Sequence, residues 1–549
     1  MKRTLIGLFL ALLAGLMFAC DLTTTLSTTS GTTGGTSSSS TGTVSTSGTT
    51  TTTGTVSTTI SSTSTTFSSL TQSTSTTTPS STTLTTTSDT GSTTSTTSTA
   101  TTTTLTTTIT DSPDFLTSPY GFAALSITAR TGLESGFYSV DDEVAFLDAL
   151  ASSDVQIIEI TADLDLGFNE VSERFALLGR QVSEVSSVYR RHSHLPALHP
   201  VLISTGVGRL LITDFDGLLI YSPNGSEIRH CGISIDRSSD IVFRNLSLNE
   251  LWEWDEASQG AYDVNDWDYF TIEDSSGIWL DHMDFHRSYD GLMDVKSGVR
   301  DITISWSRLV FEPDSFIETQ MNWLEEHIAD HSYYRSFRTT YGVSAEAMVE
   351  YASYQKKGFN LGNTTDGTGF ESITVTFHHL YVKNLCDRLP RLRKGDVHLY
   401  HCELDNTGIY QYNISHGGPD LTNQGIVTTE GGAVLMENCI FRYVASPIKN
   451  NQKDNTLPQY SGEYKVVNSQ LVTPTRDFFG SSGETGTLWT HSNASAATLE
   501  FGFRNYAELP YSYELADVYY LAETFALTPP GTMQDSGWDW TVIRPYPME

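Results

Sequence analysis

Ile278-Trp279-Leu280-Asp281-His282-Met283-Asp284-Phe285 and, 24 residues later, Ile302-Thr303-Ile304-Ser305-Trp306-Ser307-Arg308-Leu309 share one pattern. An apolar residue is followed by another two places on and a third seven places after the first. The same pattern occurs at Ile241, Phe243, Leu248; at Ile373, Val375, Leu380; at Val397, Leu399, Leu404; at Val434, Met436, Phe441; and more weakly at Tyr464, Val466, Leu471. A spacing of two places both apolar residues on one face of a strand. The starts lie 24 residues apart twice, 30 to 37 apart three times, and 71 apart once. A short unit that cannot bury its own apolar face, repeated with loops of variable length, describes a solenoid of stacked strands. The expected fold is therefore all-β, a parallel β-helix.

Four places after each start stand Asn245, His282, Trp306, Phe377, His401, Asn438 and Asn468. Asparagines at one point of successive coils can hydrogen-bond along the stack, and rings there can pile on one another. His282 and His401 are accordingly read as structural. Cys402 and Cys439 share the next position and are expected as stacked core residues.

The 71-residue gap marks an insertion, about 311–354. Within it, F-I-E-T-Q-M-N-W-L-E-E-H and A-E-A-M-V-E-Y have helical periodicity and suggest a helical excursion projecting from one coil. Ahead of the repeat, Val140 to Leu150 reads as an amphipathic helix and Val155 to Ile160 as a strand.

Residues 1–20 carry Lys2 and Arg3, an apolar run from Leu5 to Phe18, and Ala19-Cys20. This is an export signal of lipoprotein type, with Cys20 the expected lipidation site; an ordinary cleaved signal is the alternative. Residues 21–112 are nearly all Thr, Ser and Gly, without Lys or Arg, and cannot bury enough surface to offset ordering. They are expected to form a disordered stalk that holds residues 113–549, one folded unit, away from a membrane. The expected localisation is extracellular, tethered to the outer face of a bacterial membrane, or else secreted; the unit is expected to be monomeric.

The stalk holds only Asp21, Asp89 and Asp111 as acids, so nearly all of the net charge of -33 sits on the folded unit. That argues against nucleic acid as a partner. Any polyanionic ligand must be drawn by local cations or bound metal. Of the five cysteines, Cys231, Cys386, Cys402 and Cys439 match no zinc spacing and are expected as buried thiols.

Against this acidic background, two aspartate pairs and a cationic cluster lie ahead of neighbouring coils. Asp266 and Asp268 precede the coil of Ile278; Asp290 and Asp294 precede that of Ile302. Adjacent coils bring the pairs together, and four oxygen-donor carboxylates favour Ca2+. Lys356 and Lys357 precede the coil of Ile373, and R-L-P-R-L-R-K, beginning at Arg388, precedes that of Val397. Pro390 sets a turn that holds the flanking arginines by backbone. Metal and fixed cations together would make a cleft for polycarboxylates.

D-W-D-Y-F, I-W-L-D-H, D-G-L-M-D-V-K-S-G-V-R-D-I-T-I-S-W and R-L-P-R-L-R-K-G-D-V-H-L-Y, in that order, together with Gly121-Phe122-Ala123, resemble the motifs of the pectate lyase family. The likeness spans most of 113 to about 445. It implies a right-handed parallel β-helix and Ca2+ held by Asp266, Asp268, Asp290 and Asp294. It also implies Arg388 as the base removing the C5 proton of a galacturonosyl unit, with Arg393 and Lys357 holding its carboxylate and Arg391 adding to substrate binding. The implied reaction is β-elimination in polygalacturonate (pectate), leaving 4,5-unsaturated oligogalacturonides. Because arginine is ordinarily protonated, a base at Arg388 predicts an alkaline optimum. The insertion delays the lysine motif, so the choice of Lys357 over Lys356 stays open here. The insertion could also close one end of the cleft.

Three other readings compete. A pectin lyase acting on methylated substrate would dispense with the metal acids. A β-helical hydrolase would use Asp290 and Asp294 as acid and base and form no unsaturated product. A surface-tethered pectin-binding lipoprotein without activity would have lost Arg388 or the aspartates.

Overall fold

The computed structural model describes residues 114–545, apart from 131–134, 193–196, 263, 417, 454–455, 477–481, 493–502, 504 and 506–507. The signal segment, Cys20 and the stalk lie outside the described residues. Among the described residues, no helix is long and apolar enough to cross a membrane.

Three strand ladders wind along one axis as a solenoid. The first runs through Phe137–Val140, Ile157–Ile160, Asp216–Tyr221, Ser239–Arg244, Ser276–Asp281, Arg300–Ser305, Thr374–His378, Asp396–Tyr400, Ala433–Glu437 and the start of Glu463–Arg476, with every pairing parallel. The second is a column of two- and three-residue strands, including Ser247–Asn249, Asp284–Phe285 and Arg308–Val310. The third is a nine-stranded sheet from Tyr189–Arg191 to Ser446–Lys449. The repeat read from sequence fills its interior: Ile241, Phe243, Leu248, Ile278, Leu280, Phe285, Ile302, Ile304 and Leu309 are buried in one continuous core.

The fourth position of the unit is the corner between the first and second ladders. Asn245, His282, Trp306, His401, Asn438 and Asn468 all have φ between 46° and 55°, the left-handed region that asparagine tolerates best. The rings pile as expected: Trp306 lies 4.0 Å from His379 with the planes 10° apart, and 6.1 Å from His282 at 11°. Asn245 donates to the carbonyl of Ser222 on the preceding coil at 2.8 Å.

One register differs from the expectation. Ile302 pairs with Val375, not Ile373, so the unit in that coil is Val375, Phe377 and Val382, and His379 rather than Phe377 occupies the corner. Phe377 is wholly buried. An apolar residue at every second place lets the pattern slide by two without changing face, which is why sequence alone chose the wrong start.

Cys402 and Cys439 are stacked in the core, the amide of Cys402 lying 3.4 Å from Cys439 Sγ. The four cysteines are free and buried. The early helix and strand occur at Glu143–Ala151 and Ile157–Ile160.

The insertion holds three helices, Ser315–Glu326, Ser332–Thr339 and Ala345–Tyr354, rather than the two apparent from periodicity. It does not project freely. Phe316, Ile317, Met321, Leu324, Tyr334 and Phe337 join the main core, and the indole of Trp254 packs against Tyr333, Tyr334 and Phe337. Gln320 Nε2 donates to the carbonyl of Trp252, and the amides of Tyr333 and Tyr334 donate to Glu256. The helices therefore stand against the loop that leads into Asp266 and Asp268, alongside the third ladder.

At the far end, Glu463–Arg476 folds back on Ser482–Ser492 as an antiparallel hairpin, closing the succession of parallel coils. The chain then returns along the first ladder, where Trp540 and Ile543 cover Ile157, Leu219, Val242 and Trp279.

Candidate active site on the third ladder

The aspartates, lysines and arginines singled out ahead of the coils all lie on or beside the third ladder. Strand alternation puts Phe270, Ile272, Met293, Val295, Phe359 and Leu361 inside, so Thr271, Asp294 and Asn360 form an outward row in direct register, continued by Arg391. Asp268 precedes strand Phe270–Glu273, Asp290 precedes Gly291–Val295, Lys357 opens Lys357–Leu361, and Arg388 precedes Arg391–Arg393. Four consecutive coils thus contribute to one patch.

Carboxylate oxygens of Asp266, Asp268 and Asp290 lie within 4.8 Å of one another. Asp268 is buried and Asp266 exposed, with Asp290 between. Burial, then the charges of Asp290, Asp294 and Asp266, push the Asp268 carboxyl well above its usual range. Asp294 is not one of this trio, but burial lifts its carboxyl to about 6, with Asp266 adding to the rise. The four acids thus share one field. Gly291 keeps the floor open: a Cβ there would lie 3.0 Å from Asp268 Oδ1 and 3.1 Å from the carbonyl of Gly358.

The cations face this cluster. Lys357 Nζ donates to Asp290 Oδ1 at 2.5 Å and to the carbonyl of Ala261 at 3.0 Å. Arg388 NH1 stands 3.7 Å from the other oxygen of Asp290. Lys356 points elsewhere: it is buried, with Nζ 4.4 Å from the Trp252 ring centre and donating to the carbonyl of Ala352. Of the two lysines, geometry brings Lys357 to the acids.

Arg388 is held by its backbone. Its φ is 71°, an uncommon conformation for a side chain of this size, and Leu389–Pro390 is a cis peptide. Gly358 and Phe359 amides donate to the carbonyls of Asp387 and Arg388 at 2.9 and 2.7 Å, while Leu389 donates to Gly425. A Cβ on Gly358 would fall 2.3 Å from the Arg388 carbonyl, so a glycine permits this approach. Arg388 Nε is buried without a partner among the described residues.

Sequence reasoning overlooked the polar residues between these groups. Asn360 Nδ2 donates to Asp294 Oδ1 at 2.9 Å, and its oxygen accepts from Arg393 NH1 at 2.9 Å. Arg393 also donates to the Gly362 carbonyl at 2.5 Å and approaches Glu430 at 4.0 Å. Burial, with the charge of Arg391 next, lowers the Arg393 guanidinium to about 10. Arg391 is engaged by Asp387 at 2.5 Å. A lone asparagine on a strand offers no signal in sequence; its outward register with Asp294 is what marks it.

The donor set fits a hard divalent cation. It offers carboxylate oxygens only, without histidine or thiol, and the cations Lys357 and Arg388 relieve its mutual repulsion only in part, the Asp268 carboxyl staying well above its usual range.

Comparison with known proteins gives a consistent result. A family model described as pectate lyase matches residues 216–315. Pectate lyase B of Paenibacillus amylolyticus is 38% identical over 317 residues, covering 54% of this chain and 77% of that protein. A pectate trisaccharide-lyase of Bacillus licheniformis is 23% identical over 280 residues, covering 50% of this chain and 62% of that protein. Among solved structures, a pectate lyase from Paenibacillus sp. 0602 is 32% identical with a TM-score of 0.67, covering 77% of this chain and 98% of that one.

Proposed function

Because the chain belongs to the pectate lyase family of polysaccharide lyases, we propose that it cleaves polygalacturonate by Ca2+-dependent β-elimination, leaving 4,5-unsaturated oligogalacturonides. The observation that carries the reading is the placement of Arg388 and Lys357 on either side of Asp290, above an acidic trio on adjacent coils.

Asp266, Asp268, Asp290 and Asp294 would hold the ion. When bound, Ca2+ neutralises the uronate carboxylate and so makes the adjacent C5 proton easier to remove. Lys357 and Arg393 hold that carboxylate and neighbouring oxygens, keeping the ring where C5–H faces Arg388. Arg388 takes the C5 proton; the electron pair forms the C4–C5 double bond and the C4–O4 bond breaks, the departing oxygen taking a proton from solvent. The role demands a guanidine free of its proton, so the rate is expected to climb with pH. Intact metal acids give no support to a lyase for methylated substrate, and an intact Arg388 gives none to an inactive binding protein.

The test is ultraviolet absorbance during incubation with polygalacturonate, with added Ca2+ and with chelator. Rising absorbance only with Ca2+ is expected; new reducing ends without absorbance would point to hydrolysis instead. Lipidation at Cys20, with tethering outside a bacterial membrane, is proposed on the leader residues. Cys20→Ser should abolish incorporation of labelled fatty acid.

A further inference from the structure

Further along the same sheet lies a cavity of about 320 Å³ lined by Arg190, Arg209, Ser234, Asp236, Glu273 and Lys296. It sits on the outward row that leads to the site: Leu211 pairs with Ser234, Ser234 with Thr271, and Thr271 with Asp294. Arg209 lies three strands from Asp294 and Arg190 four, roughly 14 and 19 Å at the usual strand spacing.

Arg190 and Arg209 are directly opposite one another in the antiparallel pair of Tyr189–Arg191 with Gly208–Thr213. Like charges in that relation are unfavourable. Among the described residues neither has an ion-pair partner. Arg209 reaches only the hydroxyl of Ser234, at 3.2 Å, and Asp236 is already taken by Arg237. Two cations thus face each other in an open groove that continues the candidate active site, without a direct ion pair among the described residues, although the charges of Asp266 and Asp268 act on Arg209 through space. Both residues precede the segment that matches the pectate lyase family model.

We propose that Arg190 and Arg209 form a subsite for a carboxylate of the bound polyuronate, three to four strands from Asp294, with Lys296, which follows the strand of Asp294, at the end of the cavity nearer the acids. The inference rests on the activity proposed above and adds how the chain grips long substrate. A 1,4-linked pyranose spans about the distance between adjacent strands, roughly 5 Å. A chain lying along the sheet therefore presents its uronates in step with the coils. A trimer bound over the acids falls short of Arg190; a hexamer, roughly 30 Å long, reaches it when most of its units lie on that side. The carboxylate supplies the direct ion-pair partner that the two arginines lack among the described residues.

The test uses the full chain carrying Arg388→Ala in saturating Ca2+, with and without Arg190→Gln and Arg209→Gln, titrated calorimetrically with trigalacturonate and hexagalacturonate. The affinity ratio of hexamer to trimer should fall roughly three- to tenfold on losing the arginines, and Arg209→Lys should restore part of it. An unchanged ratio overturns the subsite. So does an equal loss for both oligomers, which would make the arginines counter-ions of the acid cluster. Arg190 is exposed on an edge strand, so Arg190→Gln alone decides the matter if Arg209→Gln does not fold. Failure of the activity itself would show separately, as absence of unsaturated product from the unsubstituted protein, while the binding ratio still judges the subsite.

Discussion

Lys357 and Asp290 are joined across neighbouring coils, Nζ to Oδ1 at 2.5 Å, so one carboxylate of the acidic trio is neutralised by the lysine closest to it. Lysine and cation therefore compete for Asp290. Were Asp290 to turn to a divalent ion, Lys357 would be released toward an incoming uronate. Lys357→Met should consequently bind Ca2+ more tightly, by about three- to tenfold, since a competing positive charge has gone. The same substitution should lower kcat/KM on polygalacturonate by at least about tenfold. Calorimetric Ca2+ titration measures the first; weaker binding in the variant would show that the lysine supports the metal site instead of opposing it.

The raised carboxyls of Asp268 and Asp294 set the pH dependence of that binding. Burial lifts Asp294 to about 6, and burial together with the charges of Asp290, Asp294 and Asp266 drives Asp268 well above its usual range. In the folded metal-free chain these groups hold protons at pH values where the unfolded chain has lost them. Stability in chelator should therefore fall as pH rises from about 4 through 6, because ionisation forces repulsion that unfolding relieves. In the proposed site protons and Ca2+ would compete for the same oxygens. Apparent Ca2+ affinity should drop below about pH 6, and binding near that pH should release protons, seen as calorimetric heats that vary with buffer ionisation. Affinity independent of pH between 5 and 7 would remove Asp268 and Asp294 from the binding set.

Asn360 couples the acidic and cationic halves of the site, donating to Asp294 and accepting from Arg393. Asn360→Leu keeps the bulk and deletes both bonds. Arg393 keeps the Gly362 carbonyl but loses its lateral restraint, and Asp294 loses a donor that stabilises its charge. Activity should fall about tenfold, and stability should drop by about 1–3 kcal/mol from the unsatisfied buried groups, read from denaturant titration. Unchanged activity in a folded Asn360→Leu would limit the asparagine to a packing role.

The contrast between Asn360 and the acids shows what sequence can convey. The first ladder was legible because each strand buries alternate residues and then turns at one left-handed position, so Ile278, Leu280 and His282 repeat as a signature in Ile302, Ile304 and Trp306. The aspartates and Arg388 were legible because charged groups ahead of successive coils must meet once the coils stack. Asn360, Asp387 and Glu430 act through register on the third ladder, where short apolar strands leave a weak repeat. The opposition of Arg190 and Arg209 depends on an antiparallel pairing that no periodicity announces. The helix Ser332–Thr339, rich in serine, tyrosine and arginine, buries only Tyr334 and Phe337, too few to give a clear helical stripe.

Trp306 is the best single probe of whether the corner stack contributes stability. Its indole lies between His282 and His379, the latter 4.0 Å away with its plane nearly parallel, and Phe115 approaches at 5.1 Å. Truncation leaves a large void beside two rings that have lost their stacking partner. Trp306→Ala should destabilise the fold by about 3–5 kcal/mol in denaturant titration, whereas Trp306→His, which retains a ring, should recover a substantial part. The corner belongs to the first ladder and the acids to the third, so the remaining folded protein should bind Ca2+ as before. A loss of under about 1 kcal/mol for Trp306→Ala would mean that the neighbouring segments close over the gap, and that the corner is held by its left-handed backbone and the ladder hydrogen bonds rather than by its rings.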